Sequence, residues 1–256
     1  MSKRLKAVEL FLAVGLAAST TACAGASMLN VDVDEVPNTT YTAAYIEGGE
    51  GGEGLDYATG EQANADFEDQ LSGAELLSAL REGGHVIYFR HAQTAIDHAD
   101  QADLDMSLDD CETQPKLNNM GEKQAQIIGT AFVEQEIPVG EVVTSEYCQA
   151  WKTAEIAFGE YTKNPQLNSL PFEDNTDEWV EEVRAKVMPL LTAVPSAGEN
   201  TVLVGHDDIF KAATGLYFAP LGIAYVLTPD GNGEFILQAT MLPQEWAQLS
   251  SQNGQS

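Results

Sequence analysis

The chain has 256 residues, of which 40 are acidic and 12 basic, for a formal net charge of −28. That length accommodates one domain of ordinary size with appendages. So acidic a surface argues against nucleic acid and anionic membrane as partners, and any anion-binding site must be built from a few local positive groups against an unfavourable field.

In chain order, residues 1–26 read as an export signal: Lys3, Arg4 and Lys6 precede an apolar stretch at 7–18, and the small-residue run STTACAGAS follows. The apolar part is shorter than the roughly 20 residues that span a bilayer. Cys23, after Thr20, Thr21 and Ala22, resembles the lipid-modified cysteine of a lipoprotein cleavage box; ordinary cleavage after Ala24 or Ala26 is the alternative. The expectation is an exported chain, periplasmic or anchored to the outer membrane through a lipid on Cys23, or else secreted, with no other membrane contact. Export places Cys111 and Cys148 where paired thiols oxidise, so a disulfide between them is expected.

Residues 27–70, with IEGGEGGEGLDYATGE at their centre, lack any sustained apolar period and read as a disordered acidic tether. A folded domain is expected over 71–248. Ser72 and Glu75 have the spacing of a capping box ahead of Leu76, Leu77 and Leu80, and Gly83 and Gly84 end that helix. HVIYFR, EVVTS and TVLVG are short apolar runs of the kind found in strands covered on both faces. Helical patterns lie at 120–133, 150–158, 177–191 and 209–217, and AYVLTP and EFILQAT flank the turn DGNG as a hairpin. Alternating strands and helices imply an α/β fold of three layers, a mostly parallel sheet with helices on both faces. Residues 249–256 are expected to fray.

Ligands of such sheets sit beyond the carboxyl ends of the strands. Of the four histidines, His91 follows VIYFR and His206 follows VLVG, so two imidazoles can converge at that edge. His85 and His98 read as structural. The acidic loop 97–112 lacks the D-x-D-x-D-G spacing of a calcium loop, and neither a metal nor a cofactor is expected.

Arg90-His91-Ala92-Gln93-Thr94 resembles the RHG signature of the histidine phosphatase superfamily, which includes the cofactor-dependent phosphoglycerate mutases. LNNMGEKQAQIIGTAF, SEYCQAWKTAEIAFG and VLVGHDDIFKAATG are similar, in family order, to its other motifs. The resemblance implies a phosphoglycerate mutase-like fold and an imidazole nucleophile, His91, that carries a phosphohistidine. It implies that Arg90 and His206 grip the phosphoryl group, with Thr94 and Gln149 also on the phosphate. For the proton donor to the leaving oxygen it points to Glu173 or Asp174 in LPFEDNTDE, with Asp207 as the rival.

The pattern departs from the family at Gln149, where the motif has an arginine, and at Ala92, where it has a glycine. Losing a charged contact to the transition state is worth about 100-fold in rate or more. Lys152 and Lys116 are the nearby candidates for replacement charge. Two functions follow: hydrolysis of a small phosphomonoester through phospho-His91, or a degenerate member that binds a phosphorylated ligand or protein without turnover. A mutase is disfavoured, because no insertion is evident to enclose a diphosphorylated intermediate.

Overall fold

The computed structural model describes residues 67–95, 107–169, 176–216 and 220–249. Helix α1 (Gly73–Glu82) leads into β1 (Val86–Arg90); α2 (Asn119–Glu134), β2 (Val139–Thr144), α3 (Cys148–Phe158) and the short β3 (Thr162–Lys163) follow. Then come α4 (Asp177–Leu191), β4 (Asn200–Gly205), α5 (Asp207–Thr214), the strands β5 (Ala224–Pro229) and β6 (Phe235–Met241), and α6 (Pro243–Gln248). The six strands are ordered β3-β2-β4-β1-β5-β6. β3, β2, β4 and β1 run parallel; β5 is antiparallel to β1, and β6 to β5.

Every residue of β1 is buried, which is why its sequence reads as a continuous apolar run. Alternation decides the face. Ile87 and Phe89 join Leu76, Ile128, Phe132, Ala154 and Trp246 in a core under α1, α2, α3 and α6. Val86 and Tyr88 join Val187, Leu191, Ile209 and Phe210 in a second core under α4 and α5. Helices therefore cover both faces, and the expected three layers and edge hairpin are present.

Several local expectations shift. Ser72 is the N-cap of α1, but its side chain makes no capping hydrogen bond, so the Ser72/Glu75 capping box does not form. Gln70 and Leu71 donate backbone hydrogen bonds to the Gln238 carbonyl at 2.7 and 3.1 Å. Asp69 Oδ1 accepts from Thr240 N–H at 2.9 Å, so the chain joins the edge strand just before α1. Leu249 is buried. Helix α5 begins at Asp207, directly after His206, two residues ahead of the expected start. Strand β3 and helix α6, each too short for a periodic signal, were not expected from the sequence.

Candidate active site

Arg90 closes β1, Gly205 closes β4, and the two are partners in the parallel ladder. His91 and His206 consequently leave neighbouring strands at the same height. His91 N–H donates to the Gly205 carbonyl, and Gly222 N–H donates to the His91 carbonyl, both at 3.0 Å. The ring centroids of His91 and His206 stand 5.2 Å apart in an edge contact, and both residues are buried.

Carbonyl oxygens fix the tautomers. His91 Nδ1 lies 2.9 Å from the Ala92 carbonyl, and His206 Nδ1 lies 3.1 Å from the Leu167 carbonyl. A carbonyl only accepts, so Nδ1 carries the hydrogen in each ring and a neutral ring keeps its lone pair on Nε2. Burial pushes the His91 imidazole well below its ordinary range, and the neighbouring His206 and Arg90 push the same way. Burial also lowers His206, against the pull of Asp208, the Leu167 carbonyl and Asp207 in the other direction. Both rings are thus held neutral, the state a nucleophile requires.

Gln149 Nε2 stands 3.3 Å from His206 Nε2. Because that ring nitrogen bears no hydrogen, the amide is the donor. Arg90 Nη2 lies 3.3 Å from Asp207 Oδ2, with both side chains largely withdrawn from solvent. Asp208, next in α5, accepts from the Ser169 hydroxyl at 2.8 Å.

The motif residues that hold no phosphate in the expected scheme build the frame. Tyr88 donates its hydroxyl to the His206 carbonyl at 2.7 Å, and a Cβ at Gly205 would stand 2.4 Å from that hydroxyl oxygen. A Cβ at Gly121 would lie 2.0 Å from the Gln93 carbonyl, so the glycine of LNNMGEKQA lets α2 press against the loop after His91. Gln124 Oε1 accepts from Gln93 N–H at 2.9 Å, and Asn118 Nδ2 donates to the Thr94 carbonyl at 2.9 Å. Thr153 accepts from Ala92 N–H at 3.0 Å and donates to the Gln149 carbonyl at 2.7 Å. Thr94 itself is buried and bridges to Leu117.

Cys111 and Cys148 form a disulfide with a Cα separation of 5.7 Å, and Cys148 N–H donates to Gln114 Oε1 at 2.8 Å. The segment before α2 is thereby fastened beside Gln149. The two candidates for replacement charge have other partners in this structure. Lys116 pairs with Glu112 at 2.7 Å, and Lys152 Nζ sits 5.0 Å from the Trp151 ring centroid, so each cation is engaged elsewhere. Glu173, Asp174, His98 and Cys23 lie outside the described residues. His85 is structural, its Nδ1 3.0 Å from the Thr228 hydroxyl. Among the described residues no cluster of three His, Cys, Asp or Glu side chains could hold a metal.

Two neighbours of the site carry no sequence signal of their own. The Tyr147 ring packs 5.1 Å from His206, and Asp208 adds a second carboxylate that acts on both of them. The helix start that presents Tyr147 and Gln149 is fixed by a half-buried network: Ser145 donates to Asn168 Oδ1 at 2.9 Å and accepts from Tyr147 N–H at 3.1 Å. The order of motifs showed that α3 reaches the site, but not which of its side chains meets His206.

A mixed α/β sheet that delivers two imidazoles and a guanidinium to adjacent strand ends has the arrangement implied by the resemblance to the histidine phosphatases. Solved structures of that kind are similar to this chain. The protein histidine phosphatase SixA, complexed with tungstate, is 18% identical, with a TM-score of 0.45 over 63% of this chain and 98% of its own. A putative phosphohistidine phosphatase SixA from Agrobacterium tumefaciens is 19% identical, with a TM-score of 0.41 over 62% and 98%. A mutant phosphoserine phosphatase from Entamoeba histolytica, in complex with phosphoserine, is 14% identical, with a TM-score of 0.40 over 61% and 95%. No protein-family model and no curated protein matches the sequence. Likeness at such identities concerns the course of the backbone and not what is bound or turned over.

Proposed function

We propose that this chain hydrolyses a small phosphomonoester through a phosphohistidine on His91. The observation that carries the reading is the His91 ring itself: neutral, with Nδ1–H committed to the Ala92 carbonyl at 2.9 Å and Nε2 left as the nucleophilic nitrogen. His91 Nε2 forms a bond to phosphorus as the bond from phosphorus to the ester oxygen breaks, and the departing oxygen takes a proton. Water then attacks phosphorus, releasing inorganic phosphate and returning the imidazole. Arg90, whose planar fork can grip two oxygens, holds the transferring group, joined by His206 through Nε2 once that nitrogen takes up a proton, and preorganised charge of this kind supplies much of the rate enhancement. The proton comes either from Glu173 or Asp174, or from Asp207 at the mouth of the Arg90 fork. The exported state, with or without a lipid on Cys23, belongs to the same proposal and rests on residues 1–26 alone.

A second reading is supported by the Arg90–Asp207 contact and by Gln149: a carboxylate opposes the guanidinium, and the position of the family arginine is uncharged. That combination suits a protein that binds a phosphorylated ligand without turnover. Incubating the full chain with an aryl phosphate, alongside His91→Ala, separates the two. Turnover lost by at least 1,000-fold in the variant, together with an acid-labile phosphoryl label present only in the parent, supports catalysis, because removing a nucleophile costs on the order of that factor or more. Equal rates with no label leave the binding reading.

A further inference from the structure

Gln149 differs from a guanidinium in more than charge. A guanidinium carries donors only, whereas an amide also carries an acceptor. Gln149 Nε2 is committed to His206 at 3.3 Å, and Gln149 Oε1 is buried with no hydrogen-bond partner among the described residues, in a residue only 5% exposed. A buried acceptor without a donor is costly, and a ligand that brings a donor relieves it.

The charges around the amide point the same way. The ends of β1 and β4 and the first turn of α5 contribute one guanidinium, Arg90, and two carboxylates, Asp207 and Asp208. Asp207 lies 3.3 Å from Arg90, and both imidazoles are held neutral. Among the described residues nearby, Tyr147 and Tyr88 keep their protons because burial raises both. Of the other cations, Arg81 sits on the Gln135 carbonyl, Lys116 and Lys186 on glutamates, and Lys152 and Lys163 on Trp151, while Lys123 and Arg184 belong to α2 and α4. Lys211 lies in the last turn of α5, the helix that brings both carboxylates. Residues 96–106, 170–175 and 217–219 contain no Lys or Arg. Counted over Arg90, Asp207 and Asp208, a doubly charged phosphoryl group meets a net negative charge at these strand ends, whereas a singly charged one carries both less charge and a P–OH donor.

We propose that Gln149 sets the charge of the substrate: its Oε1 accepts a hydrogen bond from a protonated phosphoryl oxygen, so the site takes a phosphomonoester in its singly charged form. The proposal rests on the phosphatase reading and adds the ionic form of the substrate and the residue that selects it. Burial holds His91 below its ordinary range, which favours the unprotonated nucleophile in the same mildly acidic direction that leaves a phosphomonoester singly charged.

Calorimetric titration of the full chain with inorganic phosphate and with sulfate, from pH 5.5 to 8, tests this. Phosphate affinity is expected to fall about tenfold per pH unit above the second ionisation, roughly pH 6 to 7. Sulfate, doubly charged throughout and without a proton to donate, is expected to bind at least about tenfold more weakly than phosphate at pH 5.5. Gln149→Met, which keeps the shape and removes the acceptor, should lose the preference for phosphate over sulfate, and Gln149→Arg should bind both anions alike across the range. Phosphate affinity that is flat with pH overturns the proposal and leaves the phosphatase reading intact. Equal binding of sulfate and phosphate by the parent, with the same pH dependence, also overturns it, by placing the proton on the protein. Failure of both the parent and Gln149→Arg to bind phosphate or turn over an aryl phosphate at any pH overturns the phosphatase reading, and this one with it.

Discussion

Arg90 and Gly205 face each other in the parallel β1–β4 ladder, and that pairing brings His91 and His206, 115 positions apart in the chain, to a ring separation of 5.2 Å. Each histidine is the first residue past its strand, so the register of the two strands is also the register of the site. A slip of one residue would turn the preceding side chains to the opposite faces of the sheet and displace the rings.

Gly205→Ala is expected to disturb this register from within. The added methyl would stand 2.4 Å from the Tyr88 hydroxyl oxygen, which holds the His206 carbonyl at 2.7 Å. We expect a loss of stability of about 1–3 kcal/mol in urea denaturation, together with a larger fall in kcat than in substrate affinity. Adding Tyr88→Phe should recover part of the stability by clearing the clash, but not the rate, because the His206 carbonyl would still lack its donor.

Asp207→Asn removes the carboxylate that opposes Arg90. Phosphate affinity is expected to rise about tenfold, a change of about 1.4 kcal/mol, as read by calorimetry at fixed ionic strength. The accompanying change in kcat identifies the proton donor. A fall of 100-fold or more, the usual scale of general acid catalysis, assigns the proton to Asp207, and an unchanged kcat assigns it to the 173–174 pair.

Stability should fall as the solution is acidified through the range just below pH 6.5, the ordinary histidine value. Burial lowers His85, His91 and His206 in the folded chain. Below that value the unfolded chain therefore binds protons that the native chain refuses. The contribution is fully present above about pH 6.5 and is lost as pH drops toward the folded values. His85→Gln, far from the strand-end site, should flatten the pH dependence of the melting temperature without altering phosphate binding. A melting temperature that rises on acidification through this window would contradict the assignment.

Reducing the Cys111–Cys148 bridge, which spans 37 positions, should destabilise the fold by about 3–4 kcal/mol on the chain-entropy account. Cys111→Ser combined with Cys148→Ser, measured by thermal melting with and without reductant, tests this, and the double variant should have lost its sensitivity to reductant. Phosphate binding should weaken as well, because Cys148 precedes Gln149 and fastens the segment before α2 beside it.

The core strands were legible in the sequence because burial on both faces writes a continuous apolar run, as in VIYFR and TVLVG. The helices were legible because a one-sided apolar period marks them, 177–191 being matched by α4. Strand β3 and helix α6 were not legible, since two and six residues give no period to read. Of the site, His91 and His206 could be named from their places at strand ends, and Arg90 from the resemblance that Arg90-His91-Ala92-Gln93-Thr94 carries.

What the sequence alone determined is therefore the residue types and the edge of the sheet to which they go, since both follow from local pattern. Tertiary structure decided the rest. The contact of Arg90 with Asp207, the removal of Lys116 and Lys152 to other partners, and the Gln149 amide on His206 join positions far apart in the chain or depend on where long side chains come to rest. Such choices are made by distances of a few ångströms between elements that meet only when the sheet closes, and no local pattern encodes them.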